Sequence, residues 1–451
     1  MYLDSVPLPL RLLMFLEKAS LSGWPWSRAC AEIPVSSGPA EVRLVALGDV
    51  LLKGVLDLAP ASIFGELWPL LKAADIRTCN LEGPLTIGLS PAGSIGSFVG
   101  TNPFAVGILE AAGLDVVNLA NNHMLDYGLA GIQETVERLG SADIGVCGLE
   151  SREGFTRPLV RLVRGLRIGF MGFCDDHYPA EDAAAGFRPA LISDDTVKEV
   201  IQSARAEVDI LVVHLHWGYE FTLYPLLEYR DFARRMVEHG ADLVLCHHAH
   251  VNQGIEKWRH GAIAYGLGNA IFPQSPYIRA GHPWTNRSFL LEATVGKDGL
   301  RSVRLHPFGI ATNGQVEVLS GKGCDRFLAG IKRLSARLQD EAFLLRNQKV
   351  ITIVESVGLL TSLREARQAG DGRLFERARQ LALPRQQRLA ARLHACSAAV
   401  THALLDLSAV GDDLNRSRAC YDRHSKTLDH VETSLRQQYD WRAAFRSRVL
   451  W

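Results

Sequence analysis

From Val42 onward the chain repeats one unit: a short apolar run that stops at polar residues, then a stretch whose apolar positions fall three and four apart. The clearest runs are Val42–Leu47, Asp115–Leu119, Arg167–Phe173, Asp209–Leu215, Asp242–Cys246 and Ala262–Tyr265. Between them lie Ala130–Leu139, Asp195–Glu207 and Leu227–His239, with the spacing of amphipathic helices. Apolar strands alternating with helices predict an α/β domain built on a buried sheet. Near its end, Ser288–Val295 and Leu300–Leu305 flank Lys297-Asp298-Gly299, which predicts two strands joined by a turn within a β-rich closure over residues 285–318.

The pattern changes at both ends. Residues 1–40 carry Pro, Ser and Gly clusters and read as an irregular leader. Beyond Gly323, the segments Cys324–Leu345, Val350–Gln368, Arg373–Leu381 and Arg385–Leu407 are rich in Ala, Leu, Arg and Gln. These are good helix formers with helical spacing of apolar positions. The expected organisation is therefore a leader (1–40), an α/β domain (41–320) and a helical C-terminal domain (321–451).

Composition narrows the class. The chain has 451 residues, 47% hydrophobic and 22% charged, as in globular proteins. Its 49 basic and 49 acidic residues balance, which argues against nucleic acid as the main partner. The balance is uneven: from Lys322 onward there are 23 Lys and Arg against 14 Asp and Glu. The Arg-rich faces of that tail (Arg373, Arg377, Arg379, Arg385, Arg388 and Arg392) read as solvated helix surface, as a homodimer or partner-docking element, or as a contact for an acidic substrate. The eight cysteines are scattered singly, without a C-x-x-C pair, and read as reduced thiols. The longest apolar run near the N-terminus is Leu12–Leu16, whereas a secretory segment needs about 7–15 apolar residues and a membrane span about 20. A cytoplasmic protein without a membrane anchor is expected.

Candidate chemistry lies where the apolar runs end, which is where open α/β sheets place ligands. These ends read Gly48-Asp49, Asn80-Leu81-Glu82, Asn121-Asn122-His123 with Asp126, His214-Leu215-His216, His247-His248-Ala249-His250 and Gly268-Asn269. Hard carboxylate oxygens with neutral imidazoles suit divalent cations of the Mg, Mn, Fe or Zn class. Asp49, Glu82, Asn122, His216, His248 and His250 supply that mixture. A lone Gly-Asp is usually a turn, and Asn-Asn-His can cap a helix. Three imidazoles in four residues after Leu243–Cys246, however, make a poor core and a poor turn. His214 and His216 share one side of a strand. One reads as a buried, hydrogen-bonded histidine, and His216, nearer the mouth, as the ligand.

Taken together, Gly48-Asp49, Asn80-Leu81-Glu82-x-Pro84, Asn121-Asn122-His123-x-x-Asp126-x-Gly128, His216-Trp217-Gly218-x-Glu220, His247-His248-x-His250-Val251-x-Gln253 and Gly268-Asn269 resemble the poly-γ-glutamate capsule-synthesis (CapA) family, a calcineurin-like branch of the metallophosphoesterases. The resemblance runs from about Val42 to Pro307. It implies a four-layer α/β/β/α sandwich, here with a helical appendage, and two divalent metal ions between facing sheets. By position it implies metal ligation by Asp49, Glu82 (as the bridge), Asn122, His216, His248 and His250. It implies catalytic roles for His123, Asp126 and Glu220, and supporting or substrate-facing roles for Asn121, His247 and Asn269. Leu51 stands where general metallophosphoesterases carry a further histidine, which leaves one metal a ligand short. The implied activity is metal-dependent hydrolysis of a phosphoester or a γ-linked amide in an anionic, polyglutamate-like substrate. The alternative is a non-catalytic accessory subunit of a polyanion-synthesising ligase.

Overall fold

A computed structural model describes residues 32–34, 41–53, 59–90, 99–150, 157–175, 188–191, 196–272, 283–348 and 351. Two sheets dominate. The first is ordered β1 (Glu32–Pro34), β16 (Gly299–Ile310), β15 (Arg287–Gly296), β2 (Val42–Val50), β3 (Ile76–Leu81), β4 (Val116–Asn118) and β5 (Gly145–Cys147). In addition, β14 (Asn269–Ile271) pairs with β2, and β17 (Val316–Val318) with β16. The second is ordered β12 (Ile255–Trp258), β13 (Gly261–Ala264), β11 (Leu243–His247), β10 (Ile210–His216), β8 (Leu166–Cys174) and β7 (Leu159–Val163). A short antiparallel pair, β6 (Leu149–Glu150) and β9 (Arg188–Pro189), completes the strands among the described residues.

Each sheet buries one face under helices. Against the first lie α1 (Pro60–Phe64), α2 (Trp68–Ala73), α3 (Val106–Ala112) and α4 (Gly128–Ser141), around a core that includes Val45, Leu47, Phe64, Leu71, Leu109, Ile132 and Phe308. Against the second lie α5 (Val197–Glu207) and α6 (Leu227–His239), around Met171, Ile201, Leu211, Val213, Met236 and Ile263. Helical periodicity decides which side goes inward: α5 buries Val197, Ile201 and Ala204, one turn apart each time. The helix ends are also local. Gly113 closes α3 in the left-handed region (φ 76°), where a Cβ would be strained.

The other faces of the two sheets meet. Thr78 on β3 reaches His214 on β10, and Asn80 reaches His216, so side chains cross from one sheet to the other. The result is the expected α/β/β/α sandwich, with a mixed first sheet closed by the β15–β16 hairpin. The hairpin covers residues 287–310, matching the expected pair of strands.

A final helix, α7 (Gly321–Arg337), buries Phe327, Ile331 and Leu334 and packs along β12 and β16. The Ile255 amide donates to Ser335 Oγ at 2.9 Å, and a Cβ on Gly254 would stand 2.9 Å from the Ser335 backbone. The expected leader, apart from Glu32–Pro34, and the expected helices beyond 351 lie outside the described residues, as do the arginines of the tail. Among the described residues no helix is long and apolar enough to cross a membrane.

Candidate metal centre

Strand register assembles the site. In the first sheet Asn269 pairs with Asp49, Asp49 with Asn80, and Asn80 with Asn118. In the second, His216 pairs with His247. A row of polar residues thus lies at one level in each sheet, at or near the C-terminal ends of their parallel strands except for Asn269, which opens β14. Close backbone approach makes the row possible: a Cβ on Gly48 would fall 1.9 Å from the Gly268 carbonyl oxygen, so a side chain there would separate β2 from β14.

Asp49 is wholly buried. Its Oδ1 accepts from Asn80 Nδ2 at 2.9 Å and lies 3.2 Å from His247 Nδ1. Its Oδ2 accepts from the His248 amide at 3.3 Å and lies 3.5 Å from His250 Nδ1. Glu82 follows β3 and is 1% exposed, yet neither carboxylate oxygen makes a hydrogen bond. Its Oε1 stands 3.5 Å from His250 Nε2 and 3.9 Å from His123 Nε2. His216 Nε2 is 2.7 Å from Asn122 Oδ1, and the His216 and His248 rings are 4.8 Å apart. Two sets of donor atoms come together closely enough to hold an ion, each set within 4.8 Å: Asp49, Glu82 and His250, and Glu82, His216 and His248. Glu82 belongs to both.

The loop after β11 turns both histidines inward. His248 (φ 81°) and His250 (φ 54°) occupy the left-handed region, which costs an ordinary residue roughly 1–2 kcal/mol. The neighbouring loop braces it: Phe221 N donates to the Ala249 carbonyl at 2.7 Å, and Gln253 Nε2 to that of Thr222 at 2.8 Å. His250 Nδ1 is 3.0 Å from Asn269 Oδ1, which leaves Nε2 facing Glu82. At the mouth, His123 Nδ1 is 2.9 Å from Asp126 Oδ2, which also accepts from the Val99 amide at 2.7 Å.

Charge in this space is out of balance in a way a cation corrects. Burial, together with the Asp49 and Glu220 charges, pushes the Glu82 carboxyl up to about 8 despite His250 and His123. Burial alone would raise Asp49 too, but contacts with His247 and His250 hold it well below the usual carboxylate range. Burial acts to lower His250, and the Glu82, Asp49 and Glu220 carboxylates lift it to about 10. His216 is pushed well down by burial and by His248. Burial would raise Glu220, but it is held low by His248, His250 and His123, which places its charge within reach of the same histidines. A buried carboxylate without hydrogen bonds, surrounded by imidazoles, is a donor set that fits divalent metal.

The residues singled out in the sequence gather around this point, His123 at the mouth and Glu220 through its charge, the others in two kinds of position. Asp49, Glu82, His216, His248 and His250 form the two donor sets, with Asn122 beside His216. Asn121, Asp126, His247 and Asn269 hold their neighbours instead: Asn121 donates to Asn80 Oδ1 (3.3 Å) and to the Leu81 carbonyl (2.8 Å) and accepts from the His123 amide (3.2 Å). His214 is the buried, hydrogen-bonded member of its pair, between Thr78 and His247. No role was legible in the sequence for Thr78 or Asn118, nor for Asn80 within its Asn80-Leu81-Glu82 motif. Asn80 Nδ2 reaches both Asp49 Oδ1 and His216 Nδ1, and Asn118 donates to Asn80 Oδ1. The available signal was that Asn80 and Asn118, like Asp49, close their strands.

Comparisons with known proteins assign the family. Residues 43–274 match the family described as "Bacterial capsule synthesis protein PGA_cap". Among curated relatives, "PGA biosynthesis protein CapA" of Bacillus subtilis (strain 168) is 29% identical over 55% of this chain and 65% of its own. "Capsule biosynthesis protein CapA" of Bacillus anthracis is 30% identical over 47% and 54%. "Probable polyglutamine synthesis accessory protein Rv0574c" of Mycobacterium tuberculosis (strain ATCC 25618 / H37Rv) is 30% identical over 46% and 59%. The matches thus span between about half and two thirds of these relatives' length. Among solved structures, a 5'-nucleotidase from Candida albicans SC5314 is 13% identical with a TM-score of 0.36, covering 70% of this chain and 58% of its own, a likeness too slight to bear on function. The family match covers just over half of the chain and takes in every residue of the two donor sets, and the chain belongs to the bacterial capsule synthesis (PGA_cap, or CapA) family.

Proposed function

We propose that this protein is a metal-dependent hydrolase of phosphoesterase type, in which Asp49, Glu82, Asn122, His216, His248 and His250 would hold two divalent cations, Glu82 being common to both donor sets. The observation that carries this reading is Glu82 itself, common to both donor sets and buried without a hydrogen bond. Such a pair of ions, when bound, supplies Lewis-acid polarisation of the scissile group and an acidified water nucleophile.

The chain's own residues do the rest. Asn80 holds Asp49 and His216 in one orientation, and Asn269 turns the His250 ring so that Nε2 faces Glu82. Asp126 fixes the His123 ring with Nε2 toward the cluster. An imidazole so placed can hand a proton to a leaving-group oxygen near neutral pH. Glu220, whose charge is felt by His123, His248 and His250, is the further carboxylate available to the reaction. The substrate is an anion of phosphoester or γ-linked amide type, and polyglutamate is the candidate polymer by analogy with the name of the B. subtilis relative.

A second reading, an accessory subunit that binds a polyanion through a weakened site, is favoured by Leu51 and by the word "accessory" in the M. tuberculosis relative's name. Elemental analysis of the purified chain, followed by aryl-phosphate hydrolysis with added manganese, separates the two. Bound metal with metal-dependent turnover supports the hydrolase. Bound metal without turnover on aryl phosphate or polyglutamate supports the accessory protein. A chain that takes up no metal overturns both.

A further inference from the structure

Neither donor set includes His247, although it is wholly buried and directly precedes His248. Cys246 faces the helix-covered core of the second sheet, so alternation along β11 sends His247 to the other face, between the sheets. The positive φ of His248 then breaks the alternation and lets the next side chain turn toward the site as well.

His247 Nε2 lies 3.0 Å from His214 Nδ1, and His214 Nε2 lies 2.9 Å from Thr78 Oγ1. The two rings are within 14° of parallel, with centroids 5.2 Å apart. At the other end, His247 Nδ1 stands 3.2 Å from Asp49 Oδ1, off the ideal hydrogen-bond axis. A carboxylate can only accept, and a neutral imidazole has one donor and one acceptor nitrogen. The nitrogen facing Asp49 is therefore the donor side of His247, and the contacts of His247 Nε2 with His214 Nδ1 and of His214 Nε2 with Thr78 Oγ1 carry the ring back to β3. One end of this chain is anchored on β3 and the other meets Oδ1, the oxygen of Asp49 turned away from His250.

We propose that His247, carried on His214 and Thr78, is a positioning residue that fixes the Asp49 carboxylate so that Oδ2 faces the cation. The proposal rests on the metal reading above and extends it to a residue outside both donor sets. Partners that orient a ligand in this way change metal affinity by about 10- to 100-fold when lost.

The test is Mn2+ titration calorimetry on the full chain, with melting temperature recorded for each variant. His247→Leu is expected to weaken Mn2+ binding by about 10- to 100-fold. His247→Asn, whose amide nitrogen can replace Nδ1 but cannot reach His214, is expected to recover only part of that loss, because it keeps the contact with Asp49 and loses the support of His214 and Thr78. A purely structural role would not separate the two in this way. Wild-type affinity in folded His247→Leu overturns the proposal, as does a His247→Asn variant equally weak. If His247→Leu does not fold, Thr78→Val decides: weaker Mn2+ binding at an unchanged melting temperature supports the chain, and wild-type binding overturns it. A wild-type chain that binds no Mn2+ at all removes the metal reading, and with it the positioning role.

Discussion

The layers between sheet and helix and the layer between the two sheets are built on opposite principles. Under the helices, side chains such as Phe64, Phe308, Leu71, Met236 and Ile263 are at most 1% exposed and apolar, and their contribution follows from area removed from water. Between the sheets, at the C-terminal ends of the strands, equally buried positions hold Asp49, Thr78, Asn80, Asn118, His214, His216 and His247. Burying those groups is costly unless each finds a partner. Most do, through hydrogen bonds from one sheet to the other, and Glu82 does not. The apolar layers supply stability, and the polar layer uses part of it to hold a prearranged set of ligands.

The largest expected effect separates the two at a single residue. Glu82→Gln should reduce Mn2+ uptake and any aryl-phosphate turnover to background while leaving metal-free thermal stability unchanged or raised, because it removes a buried carboxylate that has no hydrogen bond to lose. Calorimetry with and without metal checks both halves, and a large drop in metal-free stability would blur the contrast. Phe308→Ala, in the first sheet's helix-facing core, should do the reverse: about 3–5 kcal/mol lost in urea unfolding, with Mn2+ uptake per folded molecule unchanged.

A smaller effect tests the asymmetry within the polar layer. One donor set has Asn122 beside it, whereas Asp49 of the other is followed two residues on by the buried, apolar Leu51. Leu51→His should tighten the weaker of two Mn2+ binding steps by about tenfold, the lower end of what a well-placed ligand partner is worth. Two equal steps in the unaltered chain would remove the asymmetry.

The smallest lies on β15, inside the first sheet but away from the polar layer. Arg43 Nη2 reaches Glu292 Oε2 at 2.8 Å, and His306 Nε2 lies 2.9 Å from it. Burial opposes ionisation there, but His306 and Arg43 together bring the Glu292 carboxyl from 4.5 down to about 2. A lowered acid pKa means that the unfolded chain binds more protons in that window. The contribution is thus fully present above about pH 4.5 and disappears as pH falls through about 2. Glu292→Gln should flatten the acid limb of stability against pH, followed by circular dichroism. An unchanged limb would assign the slope elsewhere.

The same contrast explains what could be read along the chain. Helix α6 was legible at both ends, since its apolar face repeats at helical spacing and Gly240 stops it. The β15–β16 hairpin was legible from alternation around a Gly-containing turn. By contrast, β3 lies between β2 and β4, yet Ile-Arg-Thr-Cys-Asn-Leu does not read as a buried strand. Thr78 and Asn80 are polar because they face His214 and His216 across the gap, so function overrode the apolar pattern at the strand nearest the site. The short helices α1 and α2 escaped notice because each is about a turn or two long and begins around a proline.

What the chain determined by itself is what neighbours within a few residues can decide: strand against helix, which face turns inward, where each element stops, and that every apolar run ends in Asp, Asn, Glu or His. Which of those ends would meet is a question of tertiary structure. Asn80 and His216 are 136 residues apart, and Asp49 and the His248 amide 199, so no local preference brings them together. Strand register and the approach of two sheets do so, and they bring the expected ligands His216 and His248 into the donor sets and leave His214 and His247 behind them.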